Sequence, residues 1–490
     1  MISETCSTGI PGLDAILGGG LPRNRLYLIE GTPGVGKTTL ALQFLLQGIK
    51  EKERVLYVSL SETKSELEGV ARSHGWNIED IEVIDLSAID RVTGSKSQNT
   101  LFHPAEVELN HLSQLLMGEV QRVKPQRLVL DSLSEMRLLA QNALKFRRQI
   151  LAFKQALASA NCTFLMLDDR SAIDSDAQVQ SIVHGIISMN SMPIRYGIFR
   201  RFLSVTKLRS VPFREGNHDY VIQKGGISVF PRLVAAEHNS KLIKDLFSSN
   251  NMELDALLGG GLHGGTSNLL MGPAGSGKST IASMFAHAAG MRKQHVLYYA
   301  FDENVHTLRN RASEMGLAFE PLEEQGLLTV QQTDPASISP GELAHNTLEC
   351  VRKQKTRVVV LDSLNGYVSA MPQDDFLAQH LHELLSYLNQ QGVMTIMIMA
   401  QHGLLGHMNA PVDVSYLADS VILTRFFETM GAIKKAVSVI KKRSGIHENT
   451  IRELKLAEKC VSLGPPLEEF EGVLTGTPHF RGTMSKILHS

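Results

Sequence analysis

Short apolar runs, rich in aliphatic and β-branched residues, alternate along this chain with longer stretches whose apolar residues recur at helical spacing. Residues 55–60, 128–130, 163–167 and 186–189 form one series of runs, and residues 296–301, 358–361, 396–399 and 421–423 form a second. Runs this short and this uniformly apolar suit strands buried on both faces. Their alternation with amphipathic stretches predicts an α/β fold, a mostly parallel sheet flanked by helices, in each half. Near the end of each series a segment alternates in polarity, residues 199–207 and 432–441, and predicts an antiparallel edge hairpin.

The two series are copies of one unit. Residues 13–21 (LDAILGGGL) return as residues 254–262 (LDALLGGGL), 241 positions later. Asp131 and Asp362 end the apolar runs RLVLD and VVVLD, 231 apart, and Lys207 and Lys441 lie 234 apart, so the repeat runs through each half. We therefore expect two domains, residues 1–240 and 241–490, with the boundary inside residues 236–251, where a charged and polar stretch (EHNSKLIKDLFSSN) separates the copies. A chain of 490 residues, 43% hydrophobic and 20% charged, is too long for one core and ordinary for a soluble globular protein.

Charge and cysteine usage narrow the classes. With 49 basic against 50 acidic residues, nothing in the balance calls for nucleic acid or an anionic membrane. Cys6, Cys162, Cys350 and Cys460 are scattered with no C-x-x-C pair, which points away from zinc and from a disulfide framework and fits a reducing cytoplasm. The first residues lack a basic stretch followed by an apolar core, and no run of 18 apolar residues occurs, so a cytoplasmic protein with no membrane association is expected.

The chemistry begins at residues 31–39, GTPGVGKTT, repeated at residues 272–280 as GPAGSGKST. Both complete the frame G-x-x-x-x-G-K-[ST], in which glycines turn backbone N–H groups onto phosphate oxygens, the lysine neutralises their charge and the next hydroxyl holds Mg²⁺. Each follows an apolar run and precedes helical spacing, and a helix N-terminus adds a field that favours phosphate. The phosphate-binding candidates are Gly34, Val35, Gly36, Lys37, Thr38 and Thr39, then Gly275, Ser276, Gly277, Lys278, Ser279 and Thr280. Asp131 and Asp362, each at the end of a buried run and followed by serine, are candidates to hold Mg²⁺ with Thr38 and Ser279. An aspartate in that position is also a common turn former, and its duplication in register favours the metal role.

Two further elements recur. Glu62 lies 25 residues after Lys37 and Glu303 lies 25 after Lys278; one strand over from the phosphate loop, such a carboxylate can polarise a water or hydroxyl for in-line attack. The alternative is a solvated glutamate opening a helix. Lys207-Leu208-Arg209 and Lys441-Lys442-Arg443 place lysine and arginine two apart on a strand, hence on one face. Two cations aimed together suit a phosphate; if they lie far from their own loop they serve a neighbouring subunit's nucleotide in a ring. A basic edge strand that discourages aggregation is the plainer reading.

Phosphate loop, acid, aspartate-serine strand end and K-x-R segment in this order resemble the RecA-type ATPase fold. Doubled, and joined by T-G-I-P-G-L-D at residues 8–14, G-G-G-L before each loop and Ser73-His74-Gly75-Trp76, they resemble the KaiC family of tandem ATPases over nearly the whole chain. That resemblance implies two RecA-like P-loop domains, a homohexamer with ATP and Mg²⁺ at the subunit interfaces, ATP hydrolysis, autokinase activity in the C-terminal half and a KaiB-like protein partner. It also implies nucleotide contacts for Ser73 and His447, and contacts across the interface from Lys207, Leu208, Arg209, Lys441, Lys442 and Arg443.

The chain departs from the family pattern where rate and phosphorylation are set. Adjacent glutamates in the family correspond here to Ser61-Glu62 and to Asp302-Glu303, so the first half lacks one carboxylate and Asp302 takes the kinase-base position on a shorter stem. The family's serine-threonine phosphoacceptor corresponds to Ser415-Tyr416, leaving Ser415 as the acceptor candidate, or as a loop serine that caps the next element. Two other readings stay open. A nucleic-acid motor of the same superfamily needs basic loops, whereas residues 168–176 are acidic and residues 401–413 nearly neutral. A nucleotide-gated scaffold with little turnover suits the loss at Ser61. The tail, residues 476–490, is a partner-binding or disordered segment.

Overall fold

The computed structural model describes residues 4–86, 104–140, 142–169, 177–193, 197–238, 245–369, 377–401, 414–429, 431–474 and 479–481. The acidic loop residues 170–176, the loop residues 402–413, the linker residues 239–244 and most of the tail, residues 482–490, lie outside them. Two compact units divide the chain, residues 1–193 with 199–232, and residues 233–490 with 194–198.

The first unit is built on a nine-stranded sheet. Six strands are parallel, in the order Gly185–Met192, Leu26–Gly31, Thr163–Asp169, Arg127–Asp131, Val55–Ser59 and Glu82–Asp85. Three antiparallel strands, Arg200–Leu208, His218–Gln223 and Gly226–Phe230, extend the sheet beyond Gly185–Met192. The uniformly apolar strands bury alternate residues in two cores. Tyr27, Ile29, Tyr57, Val129, Leu165 and Leu167 face the core that holds helix Lys37–Lys50, and Leu26, Leu28, Leu56, Val58, Leu128 and Leu130 face the core that holds helix Ala143–Ser159. Each fully buried side chain of this kind contributes about 1.5–3 kcal/mol.

The second unit repeats this plan. Ser420–Thr429, Ser267–Gly272, Met394–Ala400, Val358–Asp362, Val296–Ala300 and Leu328–Gln332 are parallel, and Ala432–Lys442, Ile451–Ala457 and Cys460–Pro466 continue antiparallel. The α/β reading therefore holds, with one change at the sheet margin. The alternating segments lie inside it, each covered by two more antiparallel strands, so the edges are Gly226–Phe230 and Cys460–Pro466 on that side. No described helix is long and apolar enough to cross a membrane.

Candidate functional site

Both phosphate loops leave the carboxyl end of a central buried strand, the margin of a parallel sheet where ligands collect. In the first, Gly34 and Gly36 have φ of 83° and 95°, a left-handed conformation that glycine reaches without Cβ strain. An added Cβ on Gly34 would meet nothing within 4 Å, whereas one on Gly36 would come within 2.6 Å of Ile222 Cδ1. The loop is thus open at its tip and held from beneath, where Tyr220 donates to the Val35 carbonyl at 2.7 Å. Gly36 caps helix Lys37–Lys50 with no side-chain bond, leaving its first N–H groups for a ligand. Val35 is fully buried below the loop and offers a phosphate only its backbone N–H, while Thr39 is as buried as Lys37.

Lys37 is 8% exposed and donates to the Gly31 carbonyl at 2.8 Å and the Thr32 carbonyl at 3.2 Å, while Asp169 Oδ1 lies 2.7 Å from its Nζ. Thr38 Oγ1 donates to Asp131 Oδ2 at 3.2 Å, and Tyr57 OH donates to the same oxygen at 2.6 Å. Burial raises the Asp131 carboxyl above its usual range, against the pull of the Tyr57 and Thr38 hydroxyls.

The second site copies these contacts with different neighbours. Gly275 and Gly277 have φ of 77° and 98°, and Gly277 caps helix Lys278–Met291. Lys278 donates to the Pro273 carbonyl at 2.6 Å, and burial pushes its ammonium down to about 8 despite the nearby Asp362. Asp362 accepts from Tyr298 OH at 2.7 Å and from the Ser279 hydroxyl, and burial again raises its carboxyl. Ser276 is fully buried, 2.6 Å from Thr424 Oγ1, and so serves the loop from within; Thr280 is buried in the first turn of the helix.

The acidic pair stands elsewhere than expected. Val55–Ser59 and Val296–Ala300 are separated from the phosphate-loop strands by two others, because the strands that end in aspartate pair with them directly. Glu62 and Glu303 thus approach from beyond Asp131 and Asp362, not one strand over. Burial raises the Glu62 carboxyl first and Asp131 second, and Glu62 Oε2 is buried with no hydrogen-bond partner among the described residues. Glu303 lies 2.9 Å from Arg311, and its carboxyl is also raised by burial. Asp302 accepts a hydrogen bond from Ser363.

The K-x-R segments sit toward the other end of the strands. Lys207 pairs with Ile186, which pairs with Leu28, three register positions before Gly31; Lys441 pairs with Val421, which pairs with Leu269, three before Gly272. That is about 10 Å along the strand. Lys207 and Arg209 both donate to the Ser181 carbonyl, at 3.4 and 3.1 Å. Lys441 reaches the Ser415 and Ala418 carbonyls at 3.1 and 2.7 Å, and Arg443 lies 3.6 Å from Asp419. Leu208 is buried, and Lys442 turns to the opposite face, toward the Leu258 and Gly261 carbonyls. Ser73 is exposed at the end of helix Lys64–His74, bonded to the Val70 carbonyl, and His447 is half-buried near the Gly259 turn. Ser415 opens a short 3-10 turn before Ser420–Thr429. The structure therefore gathers loop, hydroxyl and aspartate in each half, and leaves the K-x-R residues, with Ser415 beside Lys441, apart from their own loop.

Sequence reasoning missed Tyr57 and Tyr298, which stand at the same 241 offset as the lysines, and it read Asp169 only as part of an acidic loop. No cluster of three or more His, Cys, Asp or Glu side chains forms a metal cage among the described residues. A divalent ion here would have one carboxylate and one hydroxyl from the chain and fill its shell with water and phosphate, as Mg²⁺ does at such sites. The buried, under-compensated Asp131 and Asp362 fit that cation.

A duplicated sheet of this topology, each with a phosphate loop bonded to a strand-end aspartate, defines a tandem P-loop ATPase fold. The family model described as "ATPase: KaiC" matches residues 6–234 and again residues 250–468. The chain is 26% identical over 484 residues to the circadian clock protein KaiC3 of Synechocystis sp., covering 97% of this chain and 95% of that protein. It is 26% identical over 485 residues to the circadian clock oscillator protein KaiC of Synechococcus elongatus, covering 96% and 91%, and 27% identical over 482 residues to that of Thermostichus vulcanus, covering 96% and 91%. The chain belongs to the KaiC ATPase family, with both halves inside the match.

Proposed function

We propose that the chain is an ATP-binding and ATP-hydrolysing signalling protein with two ATPase domains, residues 1–240 and 241–490, and serine autokinase activity in the second. One observation carries this reading: in each half the hydroxyl that follows the loop lysine and a buried tyrosine both bond the same strand-end aspartate. Lys37 and Lys278 bind the β- and γ-phosphates, and Thr38 with Asp131, and Ser279 with Asp362, hold Mg²⁺. Bound there, Mg²⁺ would neutralise charge on the transferring phosphoryl group. Glu62 and Glu303 orient and deprotonate the attacking water.

The K-x-R residues lie about 10 Å back along the strand from their own loop, which supports their acting on the nucleotide of a neighbouring copy in a homohexamer. Such an arginine contributes on the order of 10³–10⁵ in rate. Ser415 sits at that same margin beside Lys441, so in the assembly it faces a neighbour's second site, where Asp302 takes the hydroxyl proton as Ser415 Oγ attacks the γ-phosphorus and the bond to the β–γ bridging oxygen breaks, releasing ADP. Tyr416 in place of the second acceptor argues against two-site cycling. Four unpaired cysteines fit a cytoplasmic location, and family membership suggests a KaiB-like partner and a clock-related role. Phosphate release by the wild type, Lys37→Ala and Lys278→Ala chains tests the proposal. Each change should remove the turnover of its own half; turnover unaffected by either overturns it.

A further inference from the structure

The strand directly beside the first phosphate loop ends in two carboxylates, and Asp169 stands opposite Gly31 in the parallel register. Asp168 is engaged elsewhere, accepting from Arg137 at 2.6 Å and Ser134 at 3.1 Å. Asp169 instead holds Lys37, at 2.7 Å, with its own side chain 42% exposed against 8% for the lysine. An ammonium has three hydrogens. Here two go to the Gly31 and Thr32 carbonyls and the third faces Asp169.

An incoming phosphate needs at least one of those hydrogens. Of the three partners only Asp169 carries charge, so only Asp169 both competes for the ammonium and repels the ligand. Its field also reaches Glu62 and Asp131, whose carboxyls it helps to raise. The second half provides the internal control. There the residue opposite Gly272 is Ala400, and among the described residues Lys278 makes no ion pair. Two sites with one loop pattern thus differ by a single carboxylate at the lysine.

We propose that Asp169 sets the affinity of the N-terminal site: it competes with nucleotide phosphate for Lys37 and weakens nucleoside triphosphate binding there relative to the C-terminal site. This rests on the nucleotide-binding reading above. The test is calorimetric titration of the full-length Lys278→Ala chain with ATP and Mg²⁺, with and without Asp169→Asn, which keeps size and an oxygen for Lys37 but removes the charge. Removing a half-buried ionic competitor should tighten binding roughly tenfold. The converse change, Ala400→Asp in the Lys37→Ala chain, should weaken binding at the second site by a similar factor. Unchanged or weaker binding by Asp169→Asn, at the melting temperature of its parent, overturns the proposal; should that variant fail to fold, unchanged affinity in Ala400→Asp does so. No binding by the Lys278→Ala parent would instead overturn the nucleotide reading itself, and this inference with it.

Discussion

Lys278 offers a prediction whose size follows from its surroundings. Burial pushes its ammonium down to about 8, against an ordinary value of 10.5, a difference that corresponds to roughly 3 kcal/mol favouring the neutral amine. The folded value lies below the unfolded one, so between about pH 8 and 10.5 the unfolded chain binds the proton more tightly. The nucleotide-free protein therefore gains stability as pH rises through that window, and loses this contribution as pH falls toward 8. A bound triphosphate places negative charge on the same nitrogen and restores the ammonium. Binding must then take up a proton: about 0.8 per C-terminal site near pH 8.5, where roughly three quarters of the amines are neutral, but only about 0.1 near pH 7. Calorimetry of ATP binding to the Lys37→Ala chain, in buffers of different ionisation enthalpy, reads this number directly. Uptake no larger at pH 8.5 than at pH 7 would refute the dominance of burial over the Asp362 charge at Lys278.

Glu62→Gln in the Lys278→Ala chain should lower ATP turnover by about 10²–10⁴. Because burial raises the Glu62 carboxyl above its ordinary value of 4.5, the base form is lost as pH falls through a higher value than usual. The parent's rate profile should therefore fall off above the ordinary carboxylate range, and a profile that breaks at or below it would contradict the site. Mixing Arg443→Ala chains with Lys278→Ala chains, both in a Lys37→Ala background, should restore part of the C-terminal turnover, since one kind of interface then has both residues intact; no recovery means the arginine acts within its own chain. Intact mass after incubation with ATP should rise by one phosphoryl group in wild type and not in Ser415→Ala, and an unchanged gain in the variant would move the acceptor elsewhere.

Much of this architecture was legible because the strands are buried on both faces and so read as unbroken apolar runs. The duplication then turned weak single signals, such as an aspartate after VVVL, into a pattern. The strand order was not legible, since parallel neighbours are set by crossover packing and not by adjacency in sequence. That is why Glu62 falls beyond Asp131 and not beside the loop. Tyr57 escaped notice for a related reason: a buried tyrosine on an apolar strand reads as core until Asp131, 74 positions away, is seen to accept its hydroxyl. Asp169 escaped because its significance is a pairing with Lys37 across the strand register, which no local spacing encodes.

The register also constrains how the halves work in the proposed assembly. Lys207 and Lys441 each lie three positions back from the phosphate-loop glycine of their own sheet, and their ammonium groups are directed to local carbonyls. In the proposed assembly, where the K-x-R arginine serves a neighbouring copy's loop, activity that needs both residues depends on protein concentration in both halves. The carboxylate at Lys37 sharpens the contrast between them. Lys37 is ion-paired with Asp169, whereas Lys278 makes no ion pair among the described residues, so on the proposal above the second site should fill before the first at limiting ATP.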